Sequence, residues 1–388
     1  MAKARLASTI LLVLAGFLVI QGTLMHVLSP GTRCDLDILL LAGQRFLEHS
    51  SIYRLDDLNE HTKPPLLSPL LALLSSMPRE VIRTAWDAMN VILPIAALSL
   101  WWKNNSVERT LRHRQFWVAT AASLIMLRGF WRNEMDLAQY NLFVLVLTLY
   151  AHCLASRGAI LSSGAFFALG FLIKPTQLFF LPWLLSASPR LNARILLRYC
   201  LGAAALAGSL SLLYLFQYSA DEMVRSHLDW LHFLPESTHK HILRTDNWGL
   251  PSILARMGWF GGTSPLFTLF GVAALAMTSR KWRTSPEGLF HLSAWTSLAL
   301  SPMAWTQNFV VLFPLAFSLA YRVMNNDGRL AAGFGCIALF LPNAIRAQSL
   351  PEPLHAAWLA FSAPLLLALV AMIVAVKRLR IRKESSPA

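Results

Sequence analysis

Apolar runs of roughly twenty residues recur along this chain, and they limit what it can fold into, because a helix needs about that many to cross a bilayer. Hydrophobic residues make up 55% of the chain and charged residues only 14%, whereas soluble domains carry about 25% charged residues. We therefore predict an all-α, polytopic integral membrane protein of about 10–12 transmembrane helices, folded as one membrane domain over residues 1–388. The predicted spans are 6–28, 84–102, 116–131, 139–155, 159–173, 177–187, 199–218, 262–279, 288–304, 309–323, 331–345 and 355–376.

The distribution of Lys and Arg predicts how the chain lies in the membrane. If the amino terminus is cytoplasmic, most of the 34 basic residues fall in inner segments and most of the 20 acidic residues in outer ones. The positive-inside rule favours this orientation at each short loop. We predict a protein of the cell (inner) membrane with both termini cytoplasmic and a basic tail at 377–388. The net charge of +14 then reflects the flanks of the spans, so we predict no nucleic-acid partner.

Two long outer segments, 29–83 and 219–261, hold many of the polar residues that could do chemistry. The first includes KPPLLSPLLALLSSMP, which is too short and too rich in Pro to cross, and we expect it to lie in the interface or re-enter the membrane. The second mixes Trp, His and charged residues, as an amphipathic cover over a site would. A polar pocket above an apolar groove is the construction that a lipid-linked substrate needs.

The first outer segment contains a D-x-D pair, Asp35 and Asp37, close to the end of an apolar run. Carboxylates are costly near lipid, so these two are either solvated or helix-capping residues, or one of them is a catalytic base. In a helix, residues two apart point about 200° from each other, whereas in an extended segment they share a face. D-x-D can also chelate a metal-bound nucleotide sugar, but nucleotide sugars are cytoplasmic. We therefore favour a single carboxylate as general base, with no metal and no cofactor.

Candidates for binding an anion or a sugar lie between the apolar runs. Lys174, in GFLIKPTQLFF, either snorkels to the interface or faces an anion such as a phosphate. In the polar segment 128–143, Arg132 could grip a phosphate with two hydrogen bonds, or could pair with a neighbouring acid. Gln139 and Asn141 in the same segment could bond sugar hydroxyls.

Two further groups lie on the predicted outer side, one between two spans and one in the second outer segment. The segment SPMAWTQNFVVLFP offers an aromatic ring beside amides, a combination that suits a sugar, although interfacial Trp is also common: Trp305, Gln307 and Asn308. A cluster of histidines lacks the spacing of a metal signature, and we expect it to serve hydrogen bonding: His227, His232, His239 and His241.

Taken in order, these pieces resemble glycosyltransferase family 87, membrane enzymes of the GT-C superfamily that use polyprenyl-phosphate sugars. The matching pieces cover about residues 33–316: CDLDILLLAGQRFLEHSSIYRLDDL, TKPPLLSPLLALLSSMP, AQYNLFVLVLTLYA, SGAFFALGFLIKPTQLFFLPWLL, RTDNWGLPSILARM and SPMAWTQNFVVLFPLAF. The resemblance implies a GT-C-type architecture whose active site is built by the outer loops. It also implies a catalytic Asp in the first outer loop, which falls on Asp35, with Asp37 next in line, and an amide at Asn247.

The chain departs from the family pattern at two places. Members commonly have His in the S-P-x-x-W segment, where this chain has Gln307 and Asn308. Members often have Tyr before Pro-Pro, where this chain has Lys63. We count Lys63 with Lys174 and Arg132 as candidates for binding the donor phosphate.

The resemblance implies a hexosyltransferase, mannosyltransferase-like. We expect a one-step, inverting reaction, and the charge distribution predicts that it takes place on the periplasmic side. Its partners would be a polyprenyl-phosphate sugar donor, a glycolipid or glycan acceptor of the cell envelope, and membrane lipids. Three alternatives stay open at this point: a transporter or flippase for lipid-linked sugars, an envelope-glycan polymerase or ligase, and a structural membrane scaffold. Transporters tend to place ionisable residues at the midplane in paired repeats, and no repeat is evident here.

Overall fold

The computed structural model describes residues 35–55, 57, 61–104, 113–188, 192–244, 247–258, 271–277, 285–301, 303–325 and 329–344, together with residues 13, 16 and 17. Throughout these ranges the regular structure is helical, and no strand occurs within them. Most of the predicted spans 6–28 and 262–279, all of 355–376, and the tail 377–388 lie outside the described residues. The prediction of an all-α membrane protein is confirmed.

The helices are short and often interrupted. In the described part of the chain, three 3-10 segments separate or extend them, at Pro65–Leu67, Pro175–Phe180 and Thr306–Leu312. The α-helices are α1 Asp35–Leu47, α2 Ser68–Ser75, α3 Arg79–Asn104, α4 His113–Met126, α5 Arg128–Asp136, α6 Asn141–Ser156, α7 Ile160–Ile173, α8 Leu181–Ser186, α9 Ala193–Leu215, α10 Ala220–Ile242, α11 Leu250–Arg256, α12 Pro286–Ala299, α13 Phe313–Met324 and α14 Arg329–Ala344.

Among the described residues, three helical stretches are long and apolar enough to cross a membrane: Arg79–Asn104, Ala193–Leu215 and Gln307–Met324. A fourth crossing is formed if α5 and α6 are taken together, but the two helices are bent by 111° at their junction. The protein is thus a multi-pass membrane protein, while the predicted total of about 10–12 crossings stays a prediction. The predicted span 116–131 does not form one helix, because α4 ends at Met126 and α5 begins at Arg128.

Local sequence signals explain several of the helix boundaries. Ser219 caps α10 in a capping box with Glu222, and the side chain of Asn192 accepts a hydrogen bond from the Ile195 amide at the start of α9. Proline restricts the residue before it to extended conformations, so α7 ends at Ile173 and Lys174 is extended, with φ −146° and ψ 103°. The Lys–Pro pair therefore places a lysine at a helix break.

Helices α7 and α9 cross at a pair of glycines. A Cβ on Gly164 would lie 2.3 Å from the Tyr199 carbonyl oxygen, and a Cβ on Gly202 would lie 2.0 Å from the Leu161 carbonyl oxygen. Each glycine therefore lets the backbone of the other helix approach, as small residues do at helix crossings in membranes. This crossing holds α7, and with it the Lys174 break, against the long helix α9.

Two apolar clusters meet at helix α6. The larger one contains the buried aromatic side chains Trp101, Trp183, Phe290, Phe313 and Phe317. The smaller one joins α1, α2 and α9 through residues such as Phe46, Leu71 and Tyr214. Helix α6 contributes to both clusters, since Leu142 and Leu145 belong to the larger one and Val144 to the smaller one. The amino-terminal end of α6 therefore lies where the two clusters meet.

Candidate active site

The turn between α5 and α6 carries the first polar residues of the site. Ala138, which is buried, has a φ of 48°, a left-handed conformation that favours glycine. The turn is closed by hydrogen bonds from the Ala138 amide to the Met135 carbonyl (2.9 Å) and from the Gln139 amide to the Glu134 carbonyl (2.8 Å). The chain thereby reverses sharply, and Gln139 and Asn141 leave the turn in directions that a continuous helix would not give them.

Asp35 is docked on this turn at the first residue of α1. Its backbone amide donates to the Leu137 carbonyl at 2.6 Å, and its carboxylate accepts a hydrogen bond from Nε2 of Gln139. The Asp35 side chain is partly buried, and that burial raises the pKa of its carboxyl from 3.8 to about 6. The positive charges of Lys63 and Lys174 act in the opposite direction. The result is a carboxylate that is a stronger base than an exposed one.

Lys63, on the segment that precedes Pro64, lies close enough to this carboxylate for the two charges to interact. Its ammonium is 4.7 Å from the centroid of the Tyr140 ring, a cation–π distance, and 3.3 Å from Oγ1 of Thr62. The hydroxyl of Tyr53 donates to the Lys63 carbonyl at 2.7 Å, which fixes the backbone there. Burial lowers the pKa of the Lys63 ammonium from 10.5 to about 8, although Asp35 raises it.

Lys174 reaches the same region from the break after α7. Its ammonium donates to Oδ1 of Asn141 and, at 2.8 Å, to Oδ1 of Asn308. Asn308 is oriented by a second hydrogen bond, from its Nδ2 to the Met303 carbonyl at 2.8 Å. Asn141 is oriented in turn by Glu134, whose Oε2 accepts from Nδ2 of Asn141 at 2.6 Å. Two amide oxygens therefore fix the position of a buried cation.

A cavity of about 40 Å³ adjoins the ammonium of Lys174, between α6, α12 and two 3-10 segments. Such a volume exceeds the roughly 10–15 Å³ that one water molecule needs. The polar part of its wall consists, beside Lys174, of three amides and four hydroxyl groups: Asn141, Gln177, Asn308, Thr148, Thr176, Ser297 and Ser301. Gln177 is 1% exposed, and its side-chain amide has no hydrogen-bond partner among the described residues. The cavity thus offers hydrogen-bonding groups next to a fixed cation.

Two of the residues proposed from the sequence lie apart from this cluster. Asp37 forms an ion pair with Arg79, at 2.6 Å from Nη2 and 3.2 Å from Nε. Arg132 pairs with Asp136 on the same helix at 3.3 Å, and both side chains are exposed by more than two fifths. Asp35 and Asp37 therefore point to different partners, as expected for positions two apart in a helix.

The remaining sequence candidates gather around the chain at 301–308. Asn247 is fully buried, and its Oδ1 accepts from the amides of Ala304 (2.9 Å) and Gly249 (3.3 Å). Trp305 is partly buried and faces Arg244, whose guanidinium carbon is 5.8 Å from the ring centroid. Gln307 is 4% exposed. The structure thus brings Asn308 to Lys174, while Asn247 bonds to the backbone of the neighbouring segment.

Sequence reasoning missed Glu134, Tyr140 and Gln177 as members of this region. Glu134 stands between Arg132 and Asp136, so its position suggested solvated ion pairs, yet it is 0% exposed. Tyr140 and Gln177 carry no local signal beyond their closeness to Gln139 and Lys174 in sequence. As for the predicted histidine cluster, no group of three or more His, Cys, Asp or Glu side chains among the described residues could hold a metal ion.

Comparison with protein families identifies the family of this chain. The sequence model of glycosyltransferase family 87 matches residues 61–304, which is more than half of the chain. The matched range contains the Lys63, Glu134–Asn141 and Lys174 parts of the site, and it begins after Asp35 and Asp37. No protein with a curated description matches the chain.

Proposed function

This chain belongs to glycosyltransferase family 87 and is a multi-pass membrane glycosyltransferase, and we propose that it transfers a hexose, mannose in the first instance, from a polyprenyl-phosphate donor. The acceptor is a glycolipid or glycan of the cell envelope, and the reaction takes place on the periplasmic side of the cell membrane. The observation that carries this proposal is that one turn, at Gln139 and Asn141, holds both the carboxylate of Asp35 and the ammonium of Lys174.

This grouping supplies what glycosyl transfer from a lipid phosphate requires. A general base must accept the proton of the attacking hydroxyl, and a fixed cation must stabilise the charge that develops on the leaving phosphate. Asp35 fits the first role, since it is partly exposed and one of its carboxylate oxygens is held by Gln139. Lys174 fits the second role because its position is fixed by Asn141 and Asn308.

The proposed reaction is a single displacement with inversion. Asp35 takes the proton of the acceptor hydroxyl while the hydroxyl oxygen forms a bond to the anomeric carbon. The bond between that carbon and the phosphate oxygen breaks, and polyprenyl phosphate leaves with the bonding electrons. Asp35 then returns the proton to solvent. The ammonium groups of Lys63 and Lys174 offset the negative charge gained by the phosphate.

The side of the membrane follows from two arguments. Basic residues are concentrated in the segments that the positive-inside rule assigns to the cytoplasm, which leaves the Asp35 segment on the opposite side. A lipid-linked sugar can be presented on that side, whereas nucleotide sugars are cytoplasmic. Both termini are then cytoplasmic.

The function is tested with purified protein in liposomes. Transfer of labelled mannose from polyprenyl-phosphate-mannose to an envelope glycolipid fraction is the expected result, and the Asp35→Asn protein should transfer about a thousandfold more slowly. Guanosine-diphosphate-mannose and polyprenyl-pyrophosphate oligosaccharides serve as the comparison donors. Transfer from the nucleotide sugar alone would exclude the lipid-phosphate donor, and transfer of a whole oligosaccharide would identify a polymerase or ligase instead.

A further inference from the structure

Glu134 is a fully buried carboxylate that the proposed reaction does not use. It lies in the last turn of α5 and is 0% exposed, so it cannot itself touch a substrate. Both of its oxygens accept hydrogen bonds, Oε2 from Nδ2 of Asn141 at 2.6 Å and Oε1 from the backbone amide of Leu142 at 3.0 Å. Burial of an ionised carboxylate is costly, and the cost is offset only by such partners and by a nearby cation.

The nearby cation is Lys174, and the link to it passes through one amide. Asn141 donates through Nδ2 to Glu134 and accepts through Oδ1 from the ammonium of Lys174. An ionised carboxylate can only accept hydrogen bonds, so it selects the orientation of the amide in which the NH₂ group faces Glu134. The Asn141 oxygen must then face Lys174.

We propose that Glu134 is a positioning residue which, through Asn141, sets the location and the counter-charge of the Lys174 ammonium at the donor-phosphate subsite. This inference rests on the role given to Lys174 in the proposed function. Reversal of the Asn141 amide would place an NH₂ group against the Lys174 ammonium, and the lysine would then leave its place between Asn141 and Asn308.

Two single substitutions and their combination test the orientation argument. Glu134→Gln keeps the shape, but its amide can satisfy the Leu142 amide only by turning its own NH₂ group toward the NH₂ group of Asn141. Asn141→Asp places two carboxylates in the contact that now measures 2.6 Å. In the double variant Glu134→Gln/Asn141→Asp the donor and acceptor are exchanged, so every hydrogen bond and the total charge are restored.

The measurement is the affinity of the detergent-purified protein for undecaprenyl phosphate, with undecaprenol as the uncharged control lipid. This readout needs neither the sugar nor the acceptor to be known. Each single variant should weaken binding of undecaprenyl phosphate about tenfold and leave undecaprenol binding unchanged, since a charge-assisted contact is lost. The double variant should recover to within about threefold of the wild-type affinity, because the coupling between neighbours is not additive. Thermal melting of each variant in the same detergent reports any loss of fold.

The outcomes separate this inference from the proposed function. If Lys174→Gln loses phosphate-dependent binding while the Glu134 and Asn141 variants bind normally, the role of Glu134 is overturned and that of Lys174 stands. Additive losses in the double variant would also overturn it, since they indicate a merely structural carboxylate. If Lys174→Gln binds undecaprenyl phosphate as well as wild type does, the phosphate subsite of the proposed function fails, and the inference about Glu134 fails with it.

Discussion

Nε2 of Gln139 donates a hydrogen bond to the carboxylate of Asp35 across 104 residues of sequence. The contact joins the first residue of α1 to the turn between α5 and α6, and the backbone hydrogen bond from Asp35 to Leu137 reinforces it. Because Gln139 occupies one carboxylate oxygen, the other is available for an acceptor hydroxyl. Asp37, two residues further along α1, forms an ion pair with Arg79 instead.

Substitution of the two acids should therefore have different effects. Asp35→Asn removes the proposed base and should lower the transfer rate by about a thousandfold, within the range that general base catalysis contributes. Asp37→Asn removes a partly exposed ion pair and should change the transfer rate and the stability only slightly. Transfer assays and thermal melting of both variants provide the comparison. An active Asp35→Asn protein beside an inactive Asp37→Asn protein would reverse the assignment.

The pH dependence of transfer should show an acidic limb near pH 6. Burial raises the pKa of Asp35 to about 6, and the base must be ionised to act, so activity is lost as the pH falls through this value. At pH 5 about one tenth of the carboxylate would be ionised. Gln139→Glu should move the limb to higher pH, because a second carboxylate disfavours ionisation of the first. A limb near pH 4 in the wild-type profile would contradict this environment for Asp35.

The basic limb of the same profile should depend on Lys63. Burial lowers the pKa of its ammonium to about 8, so its positive charge is lost as the pH rises through this value. If that charge assists departure of the phosphate, activity should fall above pH 8. Lys63→Arg keeps the charge at all accessible pH values and should move the basic limb upward. Lys63→Met should instead lower the rate below pH 8 to the level that the wild-type protein reaches above it, and should remove the limb. An unchanged limb in that variant would exclude Lys63 as its source.

Replacement of Ala138 by glycine should stabilise the protein. The φ of 48° at this position costs a non-glycine residue about 1 kcal/mol. Ala138→Gly should therefore raise the free energy of unfolding by about 0.5 kcal/mol after the extra freedom of the unfolded chain is counted. Ala205, exposed within α9, is the matched control, since Ala205→Gly should lower the free energy of unfolding by about 1 kcal/mol. Titration with sodium dodecyl sulfate in mixed micelles measures both, and a destabilised Ala138→Gly protein would show that this turn is not strained.

The sequence by itself determined that the protein lies in a membrane, that its fold is all-α, and which polar residues lie near the apolar runs. Apolar content required a membrane, and backbone hydrogen bonding within lipid then required helices. The Lys–Pro pair at 174 predicted a helix break, which the extended conformation of Lys174 confirms. The grouping of Asp35, Lys174 and Asn308 as polar residues near apolar runs was visible from local composition, and the order of segments indicated the family that the match over residues 61–304 shows.

Only the tertiary structure decided which polar residues meet. The contacts of Asp35 with Gln139 and of Lys174 with Asn308 join positions more than a hundred residues apart, and periodicity does not predict such pairs. Glu134 illustrates the reason, because neither its neighbours nor its spacing distinguishes a buried carboxylate from a solvated one. The turn at Ala138 brings the start of α6 back to that carboxylate, where Asn141 and the Leu142 amide donate to it, and α6 is held by packing against two apolar clusters.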